Sequence, residues 1–386
     1  MAKKRRLSRG ASIALRTLAA LLAVFGALYA ASRTFATVPM SNLGDVFASF
    51  SVKGDNTFPY TVDASTVIRM APLDSGVCVL RSGRCEILNR SGKILQTVQY
   101  TYSTPAMDTR NGRVFLYERG GTRYMLLSKT KVLYSGETTA NILTASLADN
   151  GRFAIATTAE NAKSLLTVYK PSGKAFFSFK CVSEYVTDIS FTSGGVAVTV
   201  TGVQNAEPYS RLLSLGFKDT EPKADHTFHN NIFFHVHSSG KTTVACSKSL
   251  FAVLKGAEKD REESFESDTL QFFCADEKGR TTMVLNPYGN EYASKLRGLQ
   301  ANGKAAFEVE CDEKILAAAR SSSYTAVLTD GAVLTYNNSG SQVGTLTLTD
   351  SARDICLAGQ NLYVLFHDRL ERFPSAGEHT QKSENS

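Results

Sequence analysis

The residues with the clearest potential for chemistry are four neighbouring histidines, His226, His229, His235 and His237. Side chains two positions apart on a β-strand share a face, so His235 and His237 could bind a divalent metal together. The two upstream histidines could complete a set of four ligands. The spacing matches no zinc motif, however, and packing between neighbouring sheets with turn hydrogen bonds is the competing interpretation. We favour packing and predict neither a metal ion nor a cofactor.

Motifs for other kinds of catalysis are missing from the sequence. It has no Gly-x-Ser-x-Gly elbow for a nucleophilic serine, and His367 and His379 have no evident triad partners. The pairs Gly120-Gly121 and Gly194-Gly195 match hairpin turns and belong to no Walker or dinucleotide motif. No carboxylate pair can be singled out for glycoside chemistry. We therefore predict no catalytic residues, and a protein that is not an enzyme.

The formal charge of +7 comes from the N-terminal segment. Acidic and basic residues are almost equal in number after residue 16. A neutral domain lacks the positive footprint of a nucleic-acid-binding protein, so the sequence argues against nucleic acid. The six basic residues before residue 17 are Lys3, Lys4, Arg5, Arg6, Arg9 and Arg16.

An apolar segment follows this basic cluster. Residues 18–31 are uniformly apolar, and the stretch reaches 21 residues when it is counted from Ala11, with Arg16 as the main interruption. A helix needs about 20 residues to span the hydrocarbon core. The positive-inside rule keeps the N-terminus in the cytoplasm and sends everything after Ser32 across the membrane. A cleaved signal peptide is the alternative, although no good cleavage site follows.

Seven cysteines occur singly within apolar segments, an odd number at no motif spacing. This pattern is typical of small buried hydrophobic residues, and we predict no structural disulfide network. Cys78 and Cys85 flank a possible two-residue turn at Ser82-Gly83. Such a turn would place Cys85 opposite Leu80 and not opposite Cys78.

A repeat organises the chain after residue 45. A pattern of an apolar strand, a small polar turn and a second apolar strand recurs with a mean spacing of about 40 residues, which is typical of four-stranded propeller blades. A second turn class lies between these turns, clearest at residues 89–92, 170–173, 301–303 and 337–340. Each unit therefore contains four strands, A to D. Turns join A to B and C to D, and a link joins B to C. The markers of the first class are Gly76, Gly112, Gly151, Gly194, Gly240, Gly279, Ser322 and Gly359.

These units predict an all-β fold, a β-propeller of eight four-stranded blades. Seven blades is the alternative, if the unit between residues 205 and 268 is an insertion. The last unit, residues 352–373, has only three strands, and the alternating residues 46–52 could supply the fourth and close the ring. Residues 202–209 lengthen a loop of blade 4, and residues 256–264 form a mixed-charge run in blade 5. Solvated hairpin tips are the favoured interpretation of both, and partner-facing loops the alternative.

The predicted organisation has five segments, and the anchor makes the protein single-pass. They are a basic cytoplasmic segment (1–16), a transmembrane signal-anchor helix (17–36), a spacer (37–44), the propeller (45–373) and a disordered polar tail (374–386).

The layout of the chain, its lack of tryptophan and the turns NRSGK and KPSGK carry a resemblance. The sequence resembles an uncharacterised family of membrane-anchored, Trp-free β-propeller proteins of Gram-positive anaerobes. The resemblance covers nearly the whole chain. It implies a propeller on the extracytoplasmic side of the cell membrane and supplies no catalytic residues.

Three functions are compatible with these features. The favoured one is a binding or scaffolding module for an envelope protein, peptide or glycan. The alternative is an extracytoplasmic hydrolase or lyase that acts on envelope polymers from a site at the propeller channel. A sensor that signals through the helix is the third, but only about 16 residues would lie in the cytoplasm.

Overall fold

The computed structural model of the protein describes residues 58–290 and 292–381, all within the compact unit Lys53–Ser386. These residues form strands, turns and one short 3-10 helix, Ala64–Thr66. No helix in this part of the chain is long and apolar enough to cross a membrane. The predicted anchor at residues 17–36 lies outside the described residues.

The described residues form eight sheets, and in each the strands A to D are antiparallel neighbours in that order. Strand β1 (Tyr60–Thr61) precedes blade 1 and belongs to blade 8. Blade 1 consists of β2 (Val67–Leu73), β3 (Gly76–Arg81), β4 (Arg84–Leu88) and β5 (Ile94–Gln99), and blade 2 of β6 (Pro105–Arg110), β7 (Arg113–Glu118), β8 (Arg123–Leu127) and β9 (Val132–Glu137). Blade 3 consists of β10 (Ile142–Leu147), β11 (Phe153–Ala159), β12 (Ala162–Tyr169) and β13 (Ala175–Cys181), and blade 4 of β14 (Tyr185–Phe191), β15 (Gly195–Gln204), β16 (Glu207–Gly216) and β17 (Ala224–His229).

The second half of the ring repeats this arrangement. Blade 5 consists of β18 (His235–Ser239), β19 (Thr242–Cys246), β20 (Leu250–Lys255) and β21 (Glu258–Ser264), and blade 6 of β22 (Thr269–Ala275), β23 (Thr281–Asn286), β24 (Ser294–Leu299) and β25 (Ala305–Cys311). Blade 7 consists of β26 (Ala317–Arg320), β27 (Tyr324–Leu328), β28 (Ala332–Asn337) and β29 (Gln342–Thr347). Blade 8 consists of β30 (Ala352–Ala358), β31 (Asn361–Phe366) and β32 (Arg369–Pro374) together with β1. A last strand, β33 (Gly377–Thr380), follows.

The predicted count of eight blades is confirmed, because the unit between residues 205 and 268 contains a complete blade. The two turn classes predicted from the sequence are the A–B turns and the C–D turns. In an antiparallel meander these turns lie at one end of the strands, so together they form one face of the propeller, the turn face. The B–C and D–A connections form the opposite face, the loop face. The A strands of neighbouring blades contact one another and line the central channel.

The recurring glycines of the A–B turns have a steric cause. Gly112 and Gly151 are two of five markers with positive φ, at 69° and 77°, which residues with a Cβ rarely adopt. Gly76 is different, because it lies in β3 and a Cβ there would overlap the carbonyl oxygen of Leu88. The glycine periodicity therefore marks tight turns and close strand approach, which are requirements of folding.

The ring closes through an N-terminal strand, but not the predicted one. Tyr60 pairs with Leu370, Thr61 pairs with Arg369, and the Val62 N–H extends the ladder to the Asp368 carbonyl at 2.9 Å. The prediction that residues 46–52 fill this position is wrong; that segment lies outside the described residues. Elsewhere only three to five residues link strand D to the next strand A, so the closing strand must end shortly before blade 1 begins.

The C-terminal segment was predicted to be disordered from residue 374, and this is wrong for its first part. Strand β33 pairs in parallel with β29, the outer strand of blade 7, and makes that sheet five-stranded. Gln381 is buried and its Oε1 accepts the backbone N–H groups of Thr349 and Asp350 at 2.9 and 3.1 Å. The open edge of β29 provides unpaired backbone groups, which explains the ordering of a polar segment. Residues 382–386 lie outside the described part.

The core consists of apolar layers between neighbouring blades. The Phe153 ring lies 4.9 Å from Phe115 of blade 2 and 4.9 Å from Tyr169 of its own blade. Six of the seven cysteines are buried, and all are free thiols, as the apolar pattern predicts. Cys85 is opposite Leu80 as predicted, yet its sulfur also approaches that of Cys78 at 3.3 Å, since the two are diagonal neighbours on one face.

Candidate functional site

The four histidines singled out in the sequence do not converge. His226 and His229 lie on β17 of blade 4, whereas His235 and His237 lie on β18, the A strand of blade 5. The His235 ring stacks on Phe273 of blade 6 at 5.3 Å, so the packing interpretation is confirmed for this residue. Within residues 58–290 and 292–381, no group of three or more His, Cys, Asp or Glu side chains could hold a metal ion.

A cavity of about 380 Å³ lies where the central channel opens on the turn face. The A strands and A–B turns of six blades line it, and its polar side chains include Arg69, Asp108, Arg110, His237 and Glu277. Of these five, only His237 was among the candidate metal ligands identified in the sequence. The others belong to blades 1, 2 and 6, and only Asp108 and Arg110 are close to each other in the chain.

A buried ion pair forms one wall of this cavity. Arg320 of blade 7 lies 3.3 Å from Asp276 of blade 6 and donates to the Oγ1 atoms of Thr282 and Thr325, both at 2.7 Å, and to Asn338 Oδ1 at 2.8 Å. The carboxylate also accepts two backbone N–H groups of its own turn and a second arginine. Both charged side chains are therefore saturated, and their role is to join two blades.

The arginines and the histidine of the cavity are less fully paired than this wall. His237 Nε2 has no hydrogen-bond partner in the described part of the chain. Burial, and next the nearby charge of Arg110, lower the pKa of His237 to about 4, so the imidazole is neutral at physiological pH. Arg110 lies 3.5 Å from Asp149, and Arg69 forms no ion pair with a described residue. Two guanidinium groups beside a neutral imidazole suit a small anionic group.

Carboxylates of the channel wall hold neighbouring A strands together. Asp108 of blade 2 accepts the Leu147 N–H of blade 3 at 2.8 Å, and Asp188 of blade 4 accepts the Val236 N–H of blade 5 at 2.8 Å. Burial raises the pKa of Asp188 to about 7, although its hydrogen bonds act in the opposite direction. No sequence signal indicated these links, because their partners lie about 40 or more residues away.

A long hairpin projects from the loop face of blade 4. Its strands, β15 and β16, have ten residues each, whereas the B strands of the other blades have five to seven. The excess extends the hairpin by about 10 Å, at 3.4 Å per residue. The predicted lengthening is confirmed, but it is a regular hairpin with positive φ at Asn205 and Ala206. Its base is braced, since Tyr209 Oη donates to Glu184 at 2.9 Å and Arg211 pairs with the same carboxylate at 2.8 Å.

Exposed apolar side chains concentrate on the loop face. Ten large hydrophobic residues are exposed in the described chain, and eight of them lie in loop-face connections or at adjoining strand ends. Val182, Tyr185, Val203 and Phe234 belong to blades 4 and 5 and the links before them; we call these four the loop-face patch. Val203, near the hairpin tip, is 71% exposed. A patch of this kind is typical of a protein-binding surface.

The mixed-charge run of blade 5 was predicted to be a hairpin tip, and only Gly256 and Ala257 fit that description. The remainder is β21, an edge strand. Its charges pair locally, for example Lys255 with Asp260 at 2.9 Å and Lys259 with Glu262 at 2.7 Å. Charged side chains on an edge strand prevent pairing with other sheets, so this segment protects the rim of the ring.

Comparison with known proteins agrees with this fold. A model described as Family of unknown function (DUF5711) matches residues 47–372, most of the chain. The chain belongs to this family. The predicted membership of an uncharacterised propeller family is thereby confirmed, whereas membrane anchoring and a Gram-positive origin stay predictions. No curated protein matches the DUF5711 chain.

Solved structures similar to this DUF5711 propeller share its fold at low identity. BamB from Moraxella catarrhalis is 12% identical with a TM-score of 0.50, covering 81% of this chain and 97% of BamB. Sqt1 from Saccharomyces cerevisiae is 9% identical with a TM-score of 0.57, covering 82% and 98%. Apo AztD from Citrobacter koseri is 11% identical with a TM-score of 0.50, covering 75% and 88%. At these identities the likeness establishes the β-propeller fold alone.

Proposed function

We propose that the protein is a membrane-anchored propeller on the extracytoplasmic side of a Gram-positive cell membrane, and that it binds an envelope protein through the loop-face patch. The observation that carries the proposal is the concentration of exposed apolar side chains around blades 4 and 5. The basic and apolar N-terminal sequence supports the anchor and the orientation. The family resemblance supports the Gram-positive origin.

The patch is arranged for binding a folded partner. Val203 is presented by a hairpin whose base is fixed to Glu184, so little conformational entropy is lost when a partner binds. Tyr185 and Phe234 offer aromatic contact area, which is common at the centres of protein interfaces. The described loop-face connections contain ten acidic and three basic residues. The expected partner surface is therefore apolar with a basic surround.

Truncation of two patch residues is expected to weaken partner capture strongly. The test is in-cell cross-linking of the tagged full-length chain, followed by affinity purification and mass spectrometry. The double variant Val203→Ser, Phe234→Ser should recover about tenfold less partner, because hot-spot truncations cost over 1 kcal/mol each. The matched control is Ile94→Ser, Val132→Ser, which removes two exposed apolar side chains from D strands away from the loop face.

An equal loss of partner in both double variants would contradict this assignment, as would recovery of the protein alone from wild-type cells. Recovery of glycan fragments in place of a protein would move the proposal to a glycan ligand. Folding of each variant is checked by its melting temperature, which exposed substitutions should leave within a few degrees of wild type.

One observation favours the alternative, an extracytoplasmic hydrolase or lyase. His237 and Glu277 both line the channel cavity, and partial desolvation raises the pKa of Glu277, as suits a general acid. The test is release of soluble products from purified envelope polymers by the full chain. Activity that disappears in Glu277→Gln would establish the alternative, and turnover unchanged by this substitution would exclude this site.

A further inference from the structure

Charge is segregated between the two faces of the propeller. The A–B and C–D turns contain thirteen Lys and Arg against six Asp and Glu. The described loop-face connections have the opposite excess, ten acidic to three basic. The near-zero net charge of this domain argued against nucleic acid as a partner. The total conceals a basic face and an acidic face, because the two sets of connections alternate along the chain and cancel.

Five exposed basic side chains of blades 1 to 3 lie at the rim of the turn face, in the C–D turns. They are Arg90 and Lys93 in blade 1, Lys131 in blade 2, and Lys170 and Lys174 in blade 3. All five are exposed, and none forms an ion pair with a residue of the described chain. Their charge is therefore available to an external anion.

The same pattern continues in blades 4 to 6. Lys218 and Lys304 lie in C–D turns, and Lys241 and Lys278 lie in A–B turns; all are exposed and outside the ion pairs of the described chain. Four of the six acidic residues on this face are already neutralised by ion pairs. The turns of blades 7 and 8 contain no charged residue. We call the nine exposed cations of blades 1 to 6 that form no ion pair in the described chain the basic arc.

We propose that the basic arc binds a linear polymer with repeated phosphate groups, which lies along the rim of the turn face. This surface is separate from the loop-face patch, and the proposal does not depend on it. An arc that leaves two blades uncharged fits an elongated chain better than a flat surface that would press on the whole face. Lysine binds phosphate as a mobile point charge, and several contacts along one polymer sum to useful affinity.

The structure favours a phosphate polymer other than nucleic acid. Proteins that bind single strands stack the bases on exposed aromatic rings. The exposed aromatic residues of the described chain, Tyr185, Phe234, Tyr288 and Tyr292, all lie on the loop face. The turn face therefore offers charge without a platform for bases.

The test measures binding of the full chain, in neutral detergent, to fluorescently labelled long-chain inorganic polyphosphate over a salt series. In the arc variant, Lys93, Lys131, Lys170 and Lys174 are each changed to Gln. We expect its affinity at low salt to fall by about tenfold or more, and the slope of log affinity against log salt to decrease by about 3. The N-terminal basic cluster is present in every protein compared, so it does not affect the difference.

The matched control removes the same charge from the loop-face side: Lys163, Lys248, Lys314 and Arg353, all exposed, are each changed to Gln. Its affinity should stay within twofold of wild type. Equal weakening in the two variants, or weakening in neither, would overturn the proposal. Equal affinity for poly-L-glutamate would overturn the assignment to phosphate, and tighter binding of a dT oligonucleotide of equal charge would overturn the exclusion of nucleic acid.

Discussion

Replacing Arg320 with alanine should lower the free energy of unfolding by about 3–5 kcal/mol, the usual effect of breaking a buried ion pair. The Arg320 and Asp276 side chains are 2% and 1% exposed, so solvent screens this ion pair little. Thr282, Thr325 and Asn338 also lose a charged donor. Because these residues join blades 6 and 7, the damage lies at an inter-blade boundary. Urea unfolding of the full chain, followed by far-UV circular dichroism, measures the change.

The matched control for this prediction is Arg297→Ala. Arg297 also contacts two carboxylates, Glu263 at 2.7 Å and Glu308 at 2.8 Å, but these are 40% and 46% exposed. Solvent screens such pairs, and a loss of about 1 kcal/mol or less is expected. If Arg320→Ala cost no more than Arg297→Ala, the interpretation of Arg320 as an inter-blade link would be wrong.

Substitution of Asp188 by asparagine should remove a component of the pH dependence of stability. The unfolded carboxyl loses its proton near its usual pKa of 3.8, and the folded one near a pKa of about 7. Between these values the folded state retains a proton that the unfolded state has released, so wild-type stability decreases as pH rises through this window. The decrease is complete above pH 7. It amounts to at most about 4 kcal/mol, and contact with channel water reduces it.

Asparagine keeps an oxygen that can accept the Val236 N–H and has no charge to bury. We therefore expect Asp188→Asn to exceed the stability of wild type slightly at pH 5 and by more at pH 8. His237 contributes the opposite slope, because its lowered pKa destabilises the fold as pH falls from about 6.5 toward 4. Both proteins contain His237, so the difference between their free energies of unfolding is free of that contribution. Asp188→Leu, which cannot accept the hydrogen bond, should be less stable than Asp188→Asn at both pH values.

Most of the fold could be predicted from local sequence patterns. Gly112 and Gly151 mark tight turns because few other residues adopt their backbone conformation, and that requirement is visible in one sequence. The alternation of two turn classes then predicts the strand order of each blade. The long hairpin of blade 4 was also detectable, as extra residues around 202–209.

The closing strand and the C-terminal strand were predicted wrongly for one shared reason. An alternating pattern shows that a segment can form a strand, but not which open edge it will reach. Tyr60 and Thr61 pair with β32 because the short link to blade 1 leaves only those residues at that edge. Gly377–Thr380 pair with β29 although their sequence is polar, because that edge offers backbone groups to any extended segment.

The sequence by itself determined the repeat, the blade count, the turn positions and the burial of the cysteines, since each depends on contacts or conformations close in the chain. Only the tertiary structure decided the candidate sites. The cavity collects Arg69, Arg110 and His237 from blades 1, 2 and 5, residues up to 168 positions apart. The basic arc and the loop-face patch likewise arise because ring closure places every second connection on the same face. Such groupings depend on which residues far apart in the chain lie close together in space. Neither composition nor net charge shows this.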